Sequence, residues 1–158
     1  MPAPAWVSYL GAVTGVVGVI TAIVSYVRVS RLKTLDLRLE LRKRESEAME
    51  IVETLPRLIT KARESHVAVA AATGTLGSGG MEGWKRQVGA DMETVRAFRG
   101  RLPSPDQDYR PLQAPQLEDR LVAIDRLIRS ANALTAKCQA SLSADDKERV
   151  DIKRRHER

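Results

Sequence analysis

The chain has 158 residues, with 26 Lys and Arg against 20 Asp and Glu and a formal net charge of +6. Only 4% of it is aromatic and it holds one cysteine, Cys138. That excludes an RNA-binding sheet built on stacking aromatics and any intrachain disulfide framework, and the lone thiol suits a reducing compartment.

The charge is unevenly spread. No charged side chain precedes Arg28, whereas positions 28–44 carry seven basic and two acidic side chains and positions 147–158 carry six basic and three acidic. Basic blocks beside an apolar segment draw a chain to anionic lipid, and less often to nucleotides or nucleic acid.

The first predicted element is the uncharged run at 6–27, WVSYLGAVTGVVGVITAIVSYV, about the length a helix needs to cross a bilayer. Trp6, Tyr9 and Tyr26 stand where an aromatic belt would. A secretory signal would need cations ahead of the apolar core and a small-residue cleavage site behind it. Here the first cation comes after the run, in SYVRVSRLK, so a retained anchor is expected. The Arg/Lys load behind it predicts a single-pass protein of an inner (cytoplasmic) membrane, N-terminus outside and C-terminal part in the cytoplasm.

Gly11, Thr14, Gly18, Thr21 and Ser25 recur at spacings of three and four and share one face of that helix. Glycines let helix backbones approach, and hydroxyls can bond between helices, so the stripe is expected to be an oligomerisation seam. A ring of copies would turn the same stripe into the lining of a narrow pore. Arg28 would then form a charged ring at its cytoplasmic mouth, favouring anions.

The next stretch, TLDLRLELRKRE at 34–45, places leucine at every second position, which is a strand signature. On a helix, however, Leu35 and Leu39 point one way and Leu37 and Leu41 nearly opposite. The first pair, with Leu32, extends the membrane stripe and would form an apolar constriction able to gate by dewetting. The second pair opens a heptad-type seam through Arg44, Ala48, Val52, Leu55, Ile59, Ala62, His66, Val69 and Thr73. A helix buried on two sides is therefore predicted over 30–73, one side facing symmetry mates and the other its own domain. Glu40 can pair with Arg44, and Pro56 should kink or restart the helix near Thr54 or Leu55.

GTLGSGG at 74–80 reads as a flexible break. Helix two is expected over 81–99, with Trp84, Val88, Asp91, Val95, Phe98 and Leu102 at seam spacing and Gly100 as its stop. PSPDQDYRPLQAP at 103–115 must be an extended loop. Helix three carries Leu117, Leu121, Ile124, Ile128, Ala131, Thr135, Cys138 and Leu142 at four-three spacing. A basic tail at 143–158 would hold a last short helix capped by Ser143. The predicted divisions are thus a membrane segment at 1–29, a juxtamembrane helix at 30–73, helices two and three within 74–142, and the tail. The fold class is all-α: a transmembrane helix continuing into a cytoplasmic bundle, assembled as a symmetric homo-oligomer.

Chemistry is sparse. His66 and His156 have no Cys or His at ligand spacing, so no metal site is expected; His66 sits on the seam as a hydrogen-bonded core histidine, and Cys138 as a buried small hydrophobe. Gly74 and Gly79 have phosphate-loop separation, but Gly80 stands where the lysine should be and no strand precedes it. No acid–base pair or activated nucleophile can be assembled, so neither an enzyme nor a cofactor is expected. An anionic ligand could meet Trp84 by stacking and Lys85 and Arg86 by charge at the start of helix two.

The stripe Gly11–Thr14–Gly18–Thr21–Ser25, the leucine belt and the basic cytoplasmic part together resemble small single-pass, channel-forming effectors of bacterial anti-phage systems, among them the Hailong-type channel. The resemblance implies a symmetric helical crown that binds a nucleotide or oligonucleotide, with Trp84, Lys85, Arg86, Tyr109 and Arg110 as candidate contacts. The expected function is a homo-oligomeric pore gated by such a ligand. The alternative is a non-conducting, membrane-tethered helical adaptor that recruits a partner protein.

Overall fold

The computed structural model describes residues 5–104 and 106–157, and the side chains of all of these except 5–31 and 156. The described residues form three α-helices and no strand: α1 (Ala5–Ala72), α2 (Gly79–Arg101) and α3 (Ala114–His156). The alternating leucines at 35–41 lie within α1. Among the described residues no helix is long and apolar enough to cross a membrane. The apolar run at 6–27 lies outside the residues whose side chains are described.

α1 is 68 residues long and continues through Pro56, so of the kink or restart expected there the restart does not occur. Proline removes one backbone bond, to the carbonyl of Val52. The residues flanking that gap, Val52, Leu55 and Ile59, are at most 2% exposed, so packing on the rest of the bundle holds the helix across the missing bond. Thr60 Oγ1 donates to the Pro56 carbonyl at 2.8 Å, one turn on.

The 74–80 segment is an ordered cap. Gly74 takes φ of 70°, while Thr75 N–H donates to Ala70 O at 2.9 Å and Gly74 N–H to Ala71 O at 3.3 Å. Those two bonds satisfy the last carbonyls of α1 in the Schellman pattern, where a left-handed residue favours glycine. Ser78 then caps α2, its Oγ accepting from Met81 N–H.

α2 continues past Gly100, and Leu102 is the residue that turns extended, its N–H donating back to Phe98 O and Arg99 O. The stop comes from Pro103, which disfavours helical backbone at the residue before it. α3 starts at Ala114 with Pro115 in its first turn and runs unbroken to His156, so Ser143 is interior and no separate tail helix exists. Asp145 explains the continuity. It is 3% exposed and faces α1, so the region expected to be a tail is packed into the bundle.

The topology follows from pairs between helices. Lys33 meets Glu118, Arg44 meets Asp125, and His66 meets Asp145, so α3 runs parallel to α1. Asp91 meets Lys137 while Trp84 stacks on His66, so α2 runs antiparallel to both. The 102–113 loop therefore carries the chain back up the bundle before α3 begins. The core is the second α1 seam, from Leu41 through Val52, Leu55 and Ile59 to Ala62, closed by Val95 and Phe98 of α2 and by Leu117, Ile124, Ile128, Ala131 and Cys138 of α3. The expected Glu40–Arg44 pair is present at 3.0 Å. Burial pushes the Cys138 thiol above its ordinary value, which makes it a poor nucleophile.

Candidate functional site

Two faces of α1 behave oppositely. Leu41 on the core seam is 1% exposed, whereas Leu32, Leu35 and Leu39 are 61%, 51% and 60% exposed. Neither α2 nor α3 covers those three leucines. They form a row of spacings three and four at the end of the bundle nearest the N-terminal run. Gly11, Thr14, Gly18, Thr21, Ser25 and Arg28, expected to line a pore, lie on α1 but outside the residues whose side chains are described.

A clamp joins this level of α1 to the 102–113 loop. Arg38, between Leu35 and Leu39, donates through Nη2 to the carbonyl oxygens of Arg110 (2.7 Å) and Leu112 (3.3 Å). Two turns further on, Glu45 accepts a hydrogen bond from the Tyr109 hydroxyl at 2.5 Å. The Arg120 guanidinium of α3 lies 5.5 Å from the centre of the Tyr109 ring, within cation–π range. One tyrosine thus ties loop, α1 and α3 together.

Tyr109 is 3% exposed. Burial first, and then the hydrogen bond and negative charge of Glu45, push its hydroxyl up to about 12. A tyrosine that ionises at higher pH when folded than when unfolded stabilises the fold fully below pH ~10, the ordinary tyrosine value. That contribution is lost as pH rises through the folded value. The bundle is therefore expected to lose stability between pH 10 and about 12, and Tyr109→Phe should flatten that loss. Urea unfolding at stepped pH checks it; an unchanged slope in the variant would remove Tyr109 as the cause.

Next to the clamp lies a cleft of about 480 Å³. α2 contributes Phe98 and Arg101, the loop Pro103 and Gln107, α3 Arg120, Ile124, Arg126 and Leu127, and α1 Glu45. Its floor is apolar, and three guanidinium groups stand around it against one carboxylate. That carboxylate is already engaged by Tyr109. Arg101 and Arg126 make no ion pair among the described residues and are exposed. The arrangement can hold an anion with an apolar or aromatic body.

The five residues expected to contact a ligand are not brought together. Trp84 stacks on His66, ring centroids 4.4 Å apart at 29°, and His66 Nδ1 donates to Asp145 Oδ1 at 3.0 Å. Lys85 is paired with Glu82 at 2.7 Å, and Arg86 is exposed nearby. Tyr109 and Arg110 belong to the clamp near Glu45, 21 residues earlier on α1 than His66, roughly 30 Å away at 1.5 Å per residue. The physical reasons are plain: one face of Trp84 is taken by His66, Tyr109 has its hydroxyl bonded and its ring beneath Arg120, and α2 begins at the far end of the bundle. His66 is hydrogen-bonded as expected but only partly buried and outside the core; its partner is a carboxylate whose second oxygen, Oδ2, is buried without a partner among the described residues.

Sequence reasoning missed the cleft, because its arginines come from two helices whose lateral packing no local spacing encodes. It missed Asp145 and the Arg149–Ser65 bond of 2.9 Å for the same reason. Comparison with protein-family models, curated proteins and solved structures finds no match to this chain. Among the described residues no group of His, Cys, Asp and Glu is arranged to hold a metal ion.

Proposed function

We propose that this chain is a homo-oligomeric, single-pass protein of an inner membrane that forms an ion-conducting pore, gated through its helical domain by an anionic ligand. The observation that carries the reading is the uncovered row Leu32, Leu35 and Leu39. It continues, at the same spacing, the face of Gly11, Thr14, Gly18, Thr21 and Ser25. An apolar row left open by its own bundle needs a cover, and symmetry mates supply one that also aligns the small-residue stripe around an axis.

In such a ring Arg28 lies at the cytoplasmic mouth and favours anions, and the leucine row narrows the path to a constriction that dries when it closes. Arg38 supplies the coupling. It lies at the level of the gate leucines along α1, beside their row, and is held by the loop that also lines the arginine cleft. Movement of that loop on ligand binding would rotate or release α1 at the level of the gate.

The test is single-channel current from purified protein in a planar bilayer, comparing wild type with Thr21→Leu. A bulky apolar side chain on the stripe should abolish discrete openings. A wild-type protein silent at all voltages, with nucleotides and oligonucleotides added, points instead to the membrane-tethered adaptor, for which the stripe is packing alone.

A further inference from the structure

We propose that the cleft between Arg101, Arg120 and Arg126 binds a nucleoside phosphate, which is the ligand that controls the protein. This rests on the gated-pore reading above but is measured independently of it.

The chemistry follows from the lining. Guanidinium groups present planar, forked donors that match phosphate oxygens. Arg101 and Arg126 are free of ion pairs among the described residues and so can meet a ligand without breaking an internal pair. Phe98, Pro103, Ile124 and Leu127 supply an apolar floor that a bare inorganic anion would not use. A volume of about 480 Å³ lies within the range of small-molecule sites and takes a body of nucleotide size. The Glu45 carboxylate at the cleft's edge, with one oxygen held by Tyr109, retains lone pairs that can accept from a base amine.

A lipid headgroup is a poor occupant. Glu45 stands 18 residues beyond the end of the apolar run at Val27, roughly 27 Å along the helix. The occupant is therefore a soluble nucleotide or the end of a single strand, which share the same phosphate and base.

Isothermal titration of the full chain in detergent micelles tests this with three probes: ATP, a four-nucleotide single-stranded deoxyadenosine oligomer, and inorganic tripolyphosphate. ATP or the oligomer should bind, and the tighter of the two identifies the source. Tripolyphosphate should bind at least tenfold more weakly than that ligand, because it leaves the apolar floor unused. Arg101→Ala with Arg126→Ala should weaken binding tenfold or more, and Arg126→Gln alone should weaken it measurably, both with helical circular dichroism retained. Lys85→Ala with Arg86→Ala should change nothing. The proposal is overturned if neither nucleotide probe binds, if tripolyphosphate binds as tightly, or if the arginine variants bind like wild type. Thr21→Leu should bind like wild type whatever it does to current, so loss of this site and loss of the pore are separate results.

Discussion

In the proposed assembly, replacing Leu32, Leu35 and Leu39 together by serine is expected to reduce the oligomer to single chains while leaving each bundle folded. The three side chains are 61%, 51% and 60% exposed in one chain, so covering them recovers about half or more of their full burial, roughly 1–2 kcal/mol each. Removing all three should weaken association by about two to four orders of magnitude per chain, at 1.4 kcal/mol for each tenfold. Light scattering on detergent-solubilised protein reads the mass, and urea unfolding reads the bundle. A triple variant with wild-type mass would show that the leucine row is not the contact between copies. A lower urea midpoint would show instead that it supports its own fold.

The opposite face of the same helix should respond in the opposite way. Leu55 is fully buried, on the turn where Pro56 has removed a backbone bond. Leu55→Ala deletes apolar packing and leaves a cavity, for which about 2–5 kcal/mol is the usual loss. That is a large part of the stability of a bundle this size. The helix depends on packing to cross Pro56, so the loss should reach the upper end of that range. Leu39→Ala, four turns earlier and on the open face, should stay within about 0.5 kcal/mol in a dissociated chain. Helical circular dichroism during urea unfolding of the two single variants settles the contrast. Equal midpoints would mean that the faces are not divided as the exposures indicate.

The division of faces was legible in the leucine alternation itself, because a period of two in sequence becomes two opposite stripes on a helix of 3.6 residues per turn. The core seam from Leu41 to Val69 was legible in the same way. Leu127 and Leu134, buried on α3, lie outside the four-three series at Ile124, Ile128 and Ala131. α3 packs against both α1 and α2 and buries a wider stripe than one seam predicts. The ends of helices were less legible. Gly100 looked like a stop, but nothing in the packing required a left-handed residue there, and Pro103 decided the boundary. The Ser143–Ala144–Asp145 stretch looked like a cap because its composition suits one; its burial against His66 depends on a partner 79 residues away. The same distance hid the arginine cleft, whose lining spans residues 45 to 130.

The parallel course of α1 and α3 has a consequence for how the protein is made. The pairs that join them link residues 79 to 85 positions apart, so the core seam of α1 leaves the ribosome well before the helix that covers it. At 5–20 residues per second, that interval is roughly 4–17 s. During it α1 presents two bare apolar faces, and the row that stays exposed in the finished bundle competes with the row that α3 covers. Translation speed, and any chaperone that holds the nascent helix, therefore decide which of the two faces finds a partner first.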